Sequence, residues 1–320
     1  MSGQVTPDIA VHLLCGFLGS GKTTRINMLI RRGELPDTLF LINDFGSLNI
    51  DAELIESSTG SNLGSGEVLR LSNGCACCGI SGNLSAQLSA IRRWQHPPQR
   101  LVFEASGVAR PRSLMQLFDA AGGYRLDRTE LLVDLSTLDE LLHDASVGDM
   151  VAAQLGDVDD VLLNRWGGMT LVDRQETARK IVTLNPGVCL QWLASLADNA
   201  SVRANVAAEA LPTEALPTFP CDTGMELASL SVGLTGPLDS SRLLALLDVA
   251  RPVLLRAKGF LRSRDAPERI QLLQWTPGQA RLTAQPGDRS AVLVLIGKGK
   301  LNLERLAAMI EEEAVTSRLV

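Results

Sequence analysis

The feature that most constrains this chain is Gly16-Phe17-Leu18-Gly19-Ser20-Gly21-Lys22-Thr23, a full match to the glycine-rich phosphate-binding loop pattern. Such a loop works only between a buried strand and the first turn of a helix, so it dictates local structure on both sides. Val11-His12-Leu13-Leu14-Cys15 reads as that strand, and Lys22 to Arg32 reads as the helix, with Ile26, Leu29 and Ile30 on one side. Glycines at 16, 19 and 21 let the backbone turn back on itself. Successive N–H groups, that of Ser20 among them, then surround phosphate oxygens at the positive end of the helix dipole. Lys22 is placed to reach the β- and γ-phosphates and the Thr23 hydroxyl to ligate Mg²⁺. A plain glycine-rich turn ahead of a helix leaves Lys22-Thr23 without a reason.

Hydrophobic strands and amphipathic helices alternate beyond the loop. Strands are expected at Leu39–Asn43, Leu101–Glu104, Glu130–Asp134, Asp160–Asn164 and Val188–Leu190, and helices at Leu84–Trp94, Pro111–Ala121, Asp149–Leu155 and Asp173–Leu184, the last with Asp173 as N-cap. This alternation predicts an α/β fold with a doubly wound, mainly parallel sheet. From Asn199 to about Gly224 the pattern dissolves into Ala, Pro and Thr, as a linker does. Strands at Leu227–Leu234, Arg251–Leu261, Arg269–Trp275 and Ala291–Ile296 then outnumber helices at Ser240–Val249 and Asn302–Glu313, predicting a small α+β domain with an antiparallel sheet. The expected organisation is residues 1–198, a linker over 199–224, and residues 225–320.

Several candidate strands end in polar residues, where an open parallel sheet places its ligand. After Leu39–Ile42 comes Asn43-Asp44-Phe45-Gly46, so Asp44 or Asp51 is a candidate for the Mg²⁺ shell or the γ-phosphate, although Asn-Asp-x-Gly is also good turn chemistry. Leu101-Val102-Phe103 runs into Glu104-Ala105-Ser106-Gly107: Glu104 is the candidate for positioning water or a metal-bound water, and the Gly107 amide for sensing the γ-phosphate. Cys75-Ala76-Cys77-Cys78 lies among turn residues just ahead of a helix. Three thiols this close suit a soft or borderline metal such as Zn²⁺, with a fourth ligand from elsewhere. A redox pair or buried small side chains are the alternatives, and the adjacency of Cys77 and Cys78 disfavours a relaxed disulfide between those two. The strand Asp160–Asn164 ends in Asn164-Arg165-Trp166-Gly167, where guanine-specific proteins usually carry Asn-Lys-x-Asp, so the acid that pairs with the guanine edge is replaced by Gly167.

Composition narrows the partners. The chain has 320 residues, 45% hydrophobic, with a net charge of −6, which favours neither DNA nor RNA; phosphate is to be handled locally by backbone amides. No apolar run approaches the ~18 residues that span a bilayer, and residues 1–10 lack the basic start of a secretory leader, so a cytoplasmic location without a membrane partner is expected. Six cysteines are too few for a disulfide scaffold. The three histidines, His12, His96 and His143, are scattered, and each is expected to be an ordinary surface or strand residue.

Together these residues resemble the CobW family of P-loop GTPases, a group of metal chaperones and metalloenzyme activators. Gly16 to Thr24 is similar to the family's P-loop, Asn43-Asp44-Phe45-Gly46 to its Asn-Glu-Phe-Gly segment, and Asn73-Gly74-Cys75-Ala76-Cys77-Cys78 to its cysteine signature. Glu104-Ala105-Ser106-Gly107-Val108-Ala109-Arg110-Pro111 resembles its Glu-x-Ser-Gly-x-x-x-Pro. Arg256-Ala257-Lys258-Gly259-Phe260-Leu261 and Leu295-Ile296-Gly297 resemble strands of its C-terminal domain. The resemblance implies slow hydrolysis of GTP, with ATP left open, and Mg²⁺ as cofactor. It implies Lys22, Asp44 and Glu104 as catalytic residues, Thr24 and Asn164 as further nucleotide contacts, and Zn²⁺ or Co²⁺ held by Cys75, Cys77 and Cys78. It further implies a client metalloenzyme that receives the metal, and leaves a homodimer open. A nucleotide-gated scaffold that activates a metalloenzyme without hydrolysis is the alternative. A small-molecule kinase ranks last because it gives the cysteines no role.

Overall fold

The computed structural model describes residues 7–33, 35–42, 66–70, 80–193 and 226–316, which form two compact units. The first contains strands β1 (Ile9–Cys15), β2 (Thr38–Ile42), β3 (Gly66–Arg70), β4 (Arg100–Glu104), β5 (Tyr124–Asp134), β6 (Asp160–Asn164) and β7 (Cys189–Trp192). Its helices are α1 (Lys22–Arg32), α2 (Ile80–Ile91), α3 (Pro111–Ala121), α4 (Leu138–His143), α5 (Gly148–Gly156) and α6 (Leu171–Leu184). The strands form one sheet in the order β3-β2-β4-β1-β5-β6-β7, and every neighbouring pair is parallel. That is the α/β architecture the alternating pattern predicts.

Central strands of such a sheet are covered on both faces, so they read as continuous apolar runs. Leu13 and Leu14 of β1, Val102 and Phe103 of β4, and Leu162 and Leu163 of β6 are all fully buried. On one face, Ile26, Leu29 and Ile30 of α1 pack with Leu14, Phe40, Val102, Leu132 and Leu162. Each such side chain stabilises the fold by about 1.5–3 kcal/mol on burial, so α1 is anchored to the sheet and the loop preceding it is held in place. The helix stops at Gly33, whose N–H donates to the Ile30 carbonyl at 3.0 Å.

Several elements differ from the sequence expectation for physical reasons. Strand β5 starts at Tyr124 rather than Glu130, because its first half alternates exposed and half-buried residues, including Arg125 and Asp127, and so looks like a polar loop. Pairing with β1 and the Tyr124 hydroxyl, which donates to the Leu88 carbonyl at 2.8 Å, hold that half in the sheet. Helix α6 begins at Leu171 with Thr170 as N-cap. Asp173 is its third residue and completes a reciprocal capping box instead of capping the helix itself. Strand β3 and the six-residue α4 carry no distinct sequence pattern of their own.

The second unit holds β8 (Leu227–Gly233), α7 (Ser240–Val249), β9 (Leu254–Ser263), β10 (Ala266–Thr276), β11 (Gln279–Ala284), β12 (Val292–Lys298) and α8 (Lys300–Thr316). Its sheet runs β11-β10-β9-β12-β8 and is antiparallel throughout. Leu243 and Leu247 of α7 and Leu303, Leu306 and Ile310 of α8 join Leu254, Leu261, Leu273, Trp275 and Leu295 in one core. Asp239 caps α7 by accepting from the amides of Ser241 and Arg242. The sequence does not mark the edge strand β11, because its exposed, polar positions show little apolar alternation; the Pro277-Gly278 turn pairs it with β10. No helix among the described residues is long and apolar enough to cross a membrane.

Candidate functional site

The carboxyl ends of β4, β1, β5 and β6 lie side by side, and the loop over residues 16–21 leaves β1 there. At Gly16, φ is 144° and a Cβ would sit 2.5 Å from both the Leu132 carbonyl oxygen and Ser20 Oγ, so only glycine lets the loop lie against β5. Gly21 is the N-cap of α1, and no side chain caps its opening amides. Those amides are available to an anion, in line with the helix dipole.

Lys22 is buried, and its Nζ donates to the Gly16 carbonyl at 2.6 Å and the Phe17 carbonyl at 3.2 Å. A cation is thereby fixed inside the loop. Burial pushes the Cys15 thiol up to about 12, with the Lys22 charge partly opposing it, so Cys15 stays protonated and inert. Thr23 Oγ1 donates to Glu104 Oε1 at 3.4 Å, across a sequence separation that only the β1–β4 pairing brings together. Thr24 is exposed on the first turn of α1.

After β4 the chain stays against the loop. The Ala105 amide donates to the Leu14 carbonyl at 2.9 Å, and a Cβ on Gly107 would meet Leu18 Cδ2 at 2.5 Å. Gln154 of α5, a residue without any local signal in the sequence, fixes this segment by donating to the carbonyls of Gly107 at 3.2 Å and Ala109 at 2.8 Å. Among the described residues, Ser20 Oγ and Ser106 Oγ are buried without a hydrogen-bond partner. Buried hydroxyls that lack partners are costly unless a ligand completes them. Together with the Thr23 hydroxyl and the Glu104 carboxylate, they form a hard-oxygen set that suits Mg²⁺ and phosphate.

The far end of the site is built from the β6 terminus. Asn164 is buried; its Nδ2 donates to the Ser20 carbonyl at 3.2 Å and its Oδ1 accepts from the Arg165 amide at 2.8 Å. Arg165 adopts a positive φ of 57° and its guanidinium pairs with Asp134 at the end of β5. Asp134 also accepts from the Ser136 hydroxyl at 2.6 Å. Trp166 Nε1 donates to the Leu193 carbonyl at 2.6 Å, while Arg174 stacks 4.2 Å from the ring centroid of Trp166.

Behind the loop, Glu130 of β5 is fully buried among cations. His12 Nε2 lies 3.1 Å from its carboxylate, Arg128 3.0 Å and Arg25 of α1 3.8 Å, and Arg128 also meets Asp160 at 2.9 Å. Burial alone would raise the Glu130 carboxyl, but His12, Arg25 and Arg128 bring it below the usual glutamate value. His12 is therefore a strand residue as expected, but one committed to an ion cluster. A cavity of about 630 Å³ beside Pro7, Asp37, Pro98 and Arg125 opens at the opposite edge, by the amino ends of the strands.

Lys22, Thr23, Glu104, Gly107 and Asn164 thus come together as the sequence places them. Asp44, Asp51, Cys75, Cys77 and Cys78 lie outside the described residues. No group of three or more metal-ligating side chains occurs among the described residues. Asp134, Ser106 and Gln154 join the site without a role assigned to them by the sequence pattern. Ser106 lies within the Glu104–Gly107 segment and Asp134 is an acid ending an apolar strand beside the loop strand, whereas Gln154 has no local signal.

A glycine loop seated this way on the carboxyl edge of a doubly wound parallel sheet defines the P-loop class of nucleotide-binding folds. A family profile described as the CobW/HypB/UreG nucleotide-binding domain matches residues 10–189, and one described as the cobalamin synthesis protein CobW C-terminal domain matches residues 227–313. The first match alone covers over half the chain, and the chain belongs to this family.

Among its relatives, the zinc-regulated GTPase metalloprotein activator 1 of Schizosaccharomyces pombe is 32% identical over 162 residues, covering 49% of this chain and 39% of that protein. The Escherichia coli zinc chaperone YjiA is 30% identical over 165 residues, covering 49% of each. The zinc chaperone CobW of a Sinorhizobium species is 24% identical over 179 residues, covering 49% of this chain and 51% of that one. The chain therefore spans about half the length, or less, of these relatives.

Proposed function

We propose that this protein is a nucleoside-triphosphate-hydrolysing metallochaperone. In this reading it holds Zn²⁺ or Co²⁺ at Cys75, Cys77 and Cys78 and passes it to a client metalloprotein when the nucleotide is hydrolysed. The observation that carries the reading is the convergence of Lys22, Thr23, Glu104 and Gly107 on one loop. Family membership supports a bound nucleotide, a relative named as a GTPase supports GTP among its substrates, and relatives named as zinc chaperones support zinc as cargo.

Backbone amides of residues 16–21 and the opening turn of α1, with Ser20 and Thr24, bind the phosphates. Lys22 supplies positive charge to the transferred phosphoryl group. Glu104 orients the attacking water, and the Gly107 amide, braced by Gln154, reports the γ-phosphate. Thr23 and Asp44 would hold Mg²⁺, which would supply positive charge to offset the charge developing on the phosphates. Asn164 ties the base end of the site to the loop. Metal that binds one nucleotide state more tightly must shift the nucleotide equilibrium in return, which is how a thiol site and a phosphate site become one switch. The cytoplasm, where thiols stay reduced, suits such a site.

Phosphate release is to be measured with GTP and ATP, with and without Zn²⁺ or Co²⁺. Metal-responsive release is expected; no release under any condition would leave a non-hydrolysing scaffold in its place. Titrating Zn²⁺ into the wild type and Cys77→Ser tests the metal arm, and equal affinities would remove it.

A further inference from the structure

Because Gly167 stands where a guanine-reading acid is expected, the question is whether any neighbouring side chain takes over that task. Guanine is distinguished from adenine by its N1–H and N2–H₂ donors, which call for a carboxylate or another pair of acceptors. Among the described residues, the acids at the β6 end, Asp134 and Asp173, are engaged elsewhere. Asp134 holds the Arg165 guanidinium and the Ser136 hydroxyl and amide. Asp173 accepts from the Thr170 amide and hydroxyl in the α6 capping box, at 3.1 and 2.7 Å. Trp166 and Arg165 are donors only, and the Trp166 N–H is already satisfied by the Leu193 carbonyl. Asn164 spends one N–H on the Ser20 carbonyl and one lone pair on the Arg165 amide. Its second N–H suits purine N7, an acceptor that guanine and adenine share.

We infer that this chain binds the purine ring and its triphosphate without selecting guanine over adenine, and that position 167 is the residue that sets this. The inference rests on the proposed nucleotide-binding function and specifies its substrate class: purine nucleoside triphosphates. Gly167 has open space around it, with nothing within 4 Å of where a Cβ would lie, and its φ is not in the left-handed region. An acid therefore fits there without displacing a neighbour. Selectivity is absent because the side chain is absent, with no distortion of the pocket involved.

The test measures equilibrium affinity of the full chain for non-hydrolysable GTP and ATP analogues with Mg²⁺, using wild type, Gly167→Asp and Gly167→Asn. Wild type is expected to bind the two analogues within about threefold of each other. Gly167→Asp should gain a preference for the guanine analogue of roughly 5- to 150-fold, the range that about 1–3 kcal/mol from one bidentate base contact provides. Gly167→Asn, similar in size but lacking the paired acceptors, should not gain it. A wild type that binds the guanine analogue more than twentyfold tighter would overturn the inference while leaving the proposed function standing. So would a Gly167→Asp protein that, by circular dichroism, is folded and still shows no preference. Wild type that binds neither analogue would instead remove the nucleotide reading itself, and this inference with it.

Discussion

At the loop end of the site the geometry is tightly constrained: Gly16 lies against β5 where no side chain fits, Lys22 is buried inside the loop, and Thr23 meets Glu104 from the neighbouring strand. At the base end, 164–167, the scaffold is equally well tied down, through Asn164 to Ser20, Arg165 to Asp134 and Trp166 to the Leu193 carbonyl, yet the group that would read guanine is gone. The difference teaches that the two halves answer to different demands. Phosphate chemistry needs a fixed array of amides and one lysine, so the loop tolerates little change. Base selection resides in one exposed side chain that can be lost without strain, because Gly167 has nothing packed against its Cβ position.

The sharpest way to break this comparison is Lys22→Ala, which should lower turnover by about 100- to 1,000-fold, the cost of deleting one preorganised charge-stabilising donor. Steady-state phosphate release with circular dichroism as a folding control measures it. A small effect would mean the phosphate end is not the working end.

Glu130→Gln comes next and tests the support beneath the loop. Removing the charge leaves Arg25 without that carboxylate beside β1 and α1, while Arg128 keeps Asp160, and urea unfolding should show a loss of about 3 kcal/mol. The pH dependence has a definite sign. Glu130 is held below its ordinary value in the folded protein, so its stabilisation is complete above the unfolded-state value and is lost as pH falls through the folded one. Wild type should lose stability on acidification in that window more steeply than the variant.

Glu104→Gln should reduce turnover about 100-fold, near the lower end of what a positioned acid or base contributes, with a much smaller effect on nucleotide affinity. Equal losses in both would assign Glu104 to ground-state binding. Asn164→Ala, which deletes one hydrogen bond to the loop, should weaken nucleotide binding about fivefold, the equivalent of about 1 kcal/mol, and should weaken guanine and adenine nucleotides alike. Selective loss of the guanine nucleotide would show that Asn164 itself reads the base.

Local order along the chain made much of this legible. The loop, the α1 stripe Ile26, Leu29 and Ile30, and the polar strand ends at Glu104 and Asn164 are all short-range patterns, and each appears where the sequence puts it. What escaped depends on partners distant in sequence. His12 looks like any strand histidine until β5 brings Glu130 beside it, Gln154 is unremarkable until α5 meets the segment after β4, and the first half of β5 is a strand only because β1 pairs with it. Asp173 sits at N3 and not at the expected N-cap because a capping box places an acid three residues after the capping Thr170.

The central claim, that phosphate site and thiol site are two ends of one switch, is tested most directly by Zn²⁺ affinity in two nucleotide states. The measurement is chelator competition on the full chain with Mg²⁺ and either a diphosphate or a non-hydrolysable triphosphate. The account predicts tighter Zn²⁺ binding in the triphosphate state by roughly 5- to 150-fold, the usual size of a coupling between sites, and loss of the difference in Cys77→Ser. Equal Zn²⁺ affinity in the two states of the wild type would contradict it.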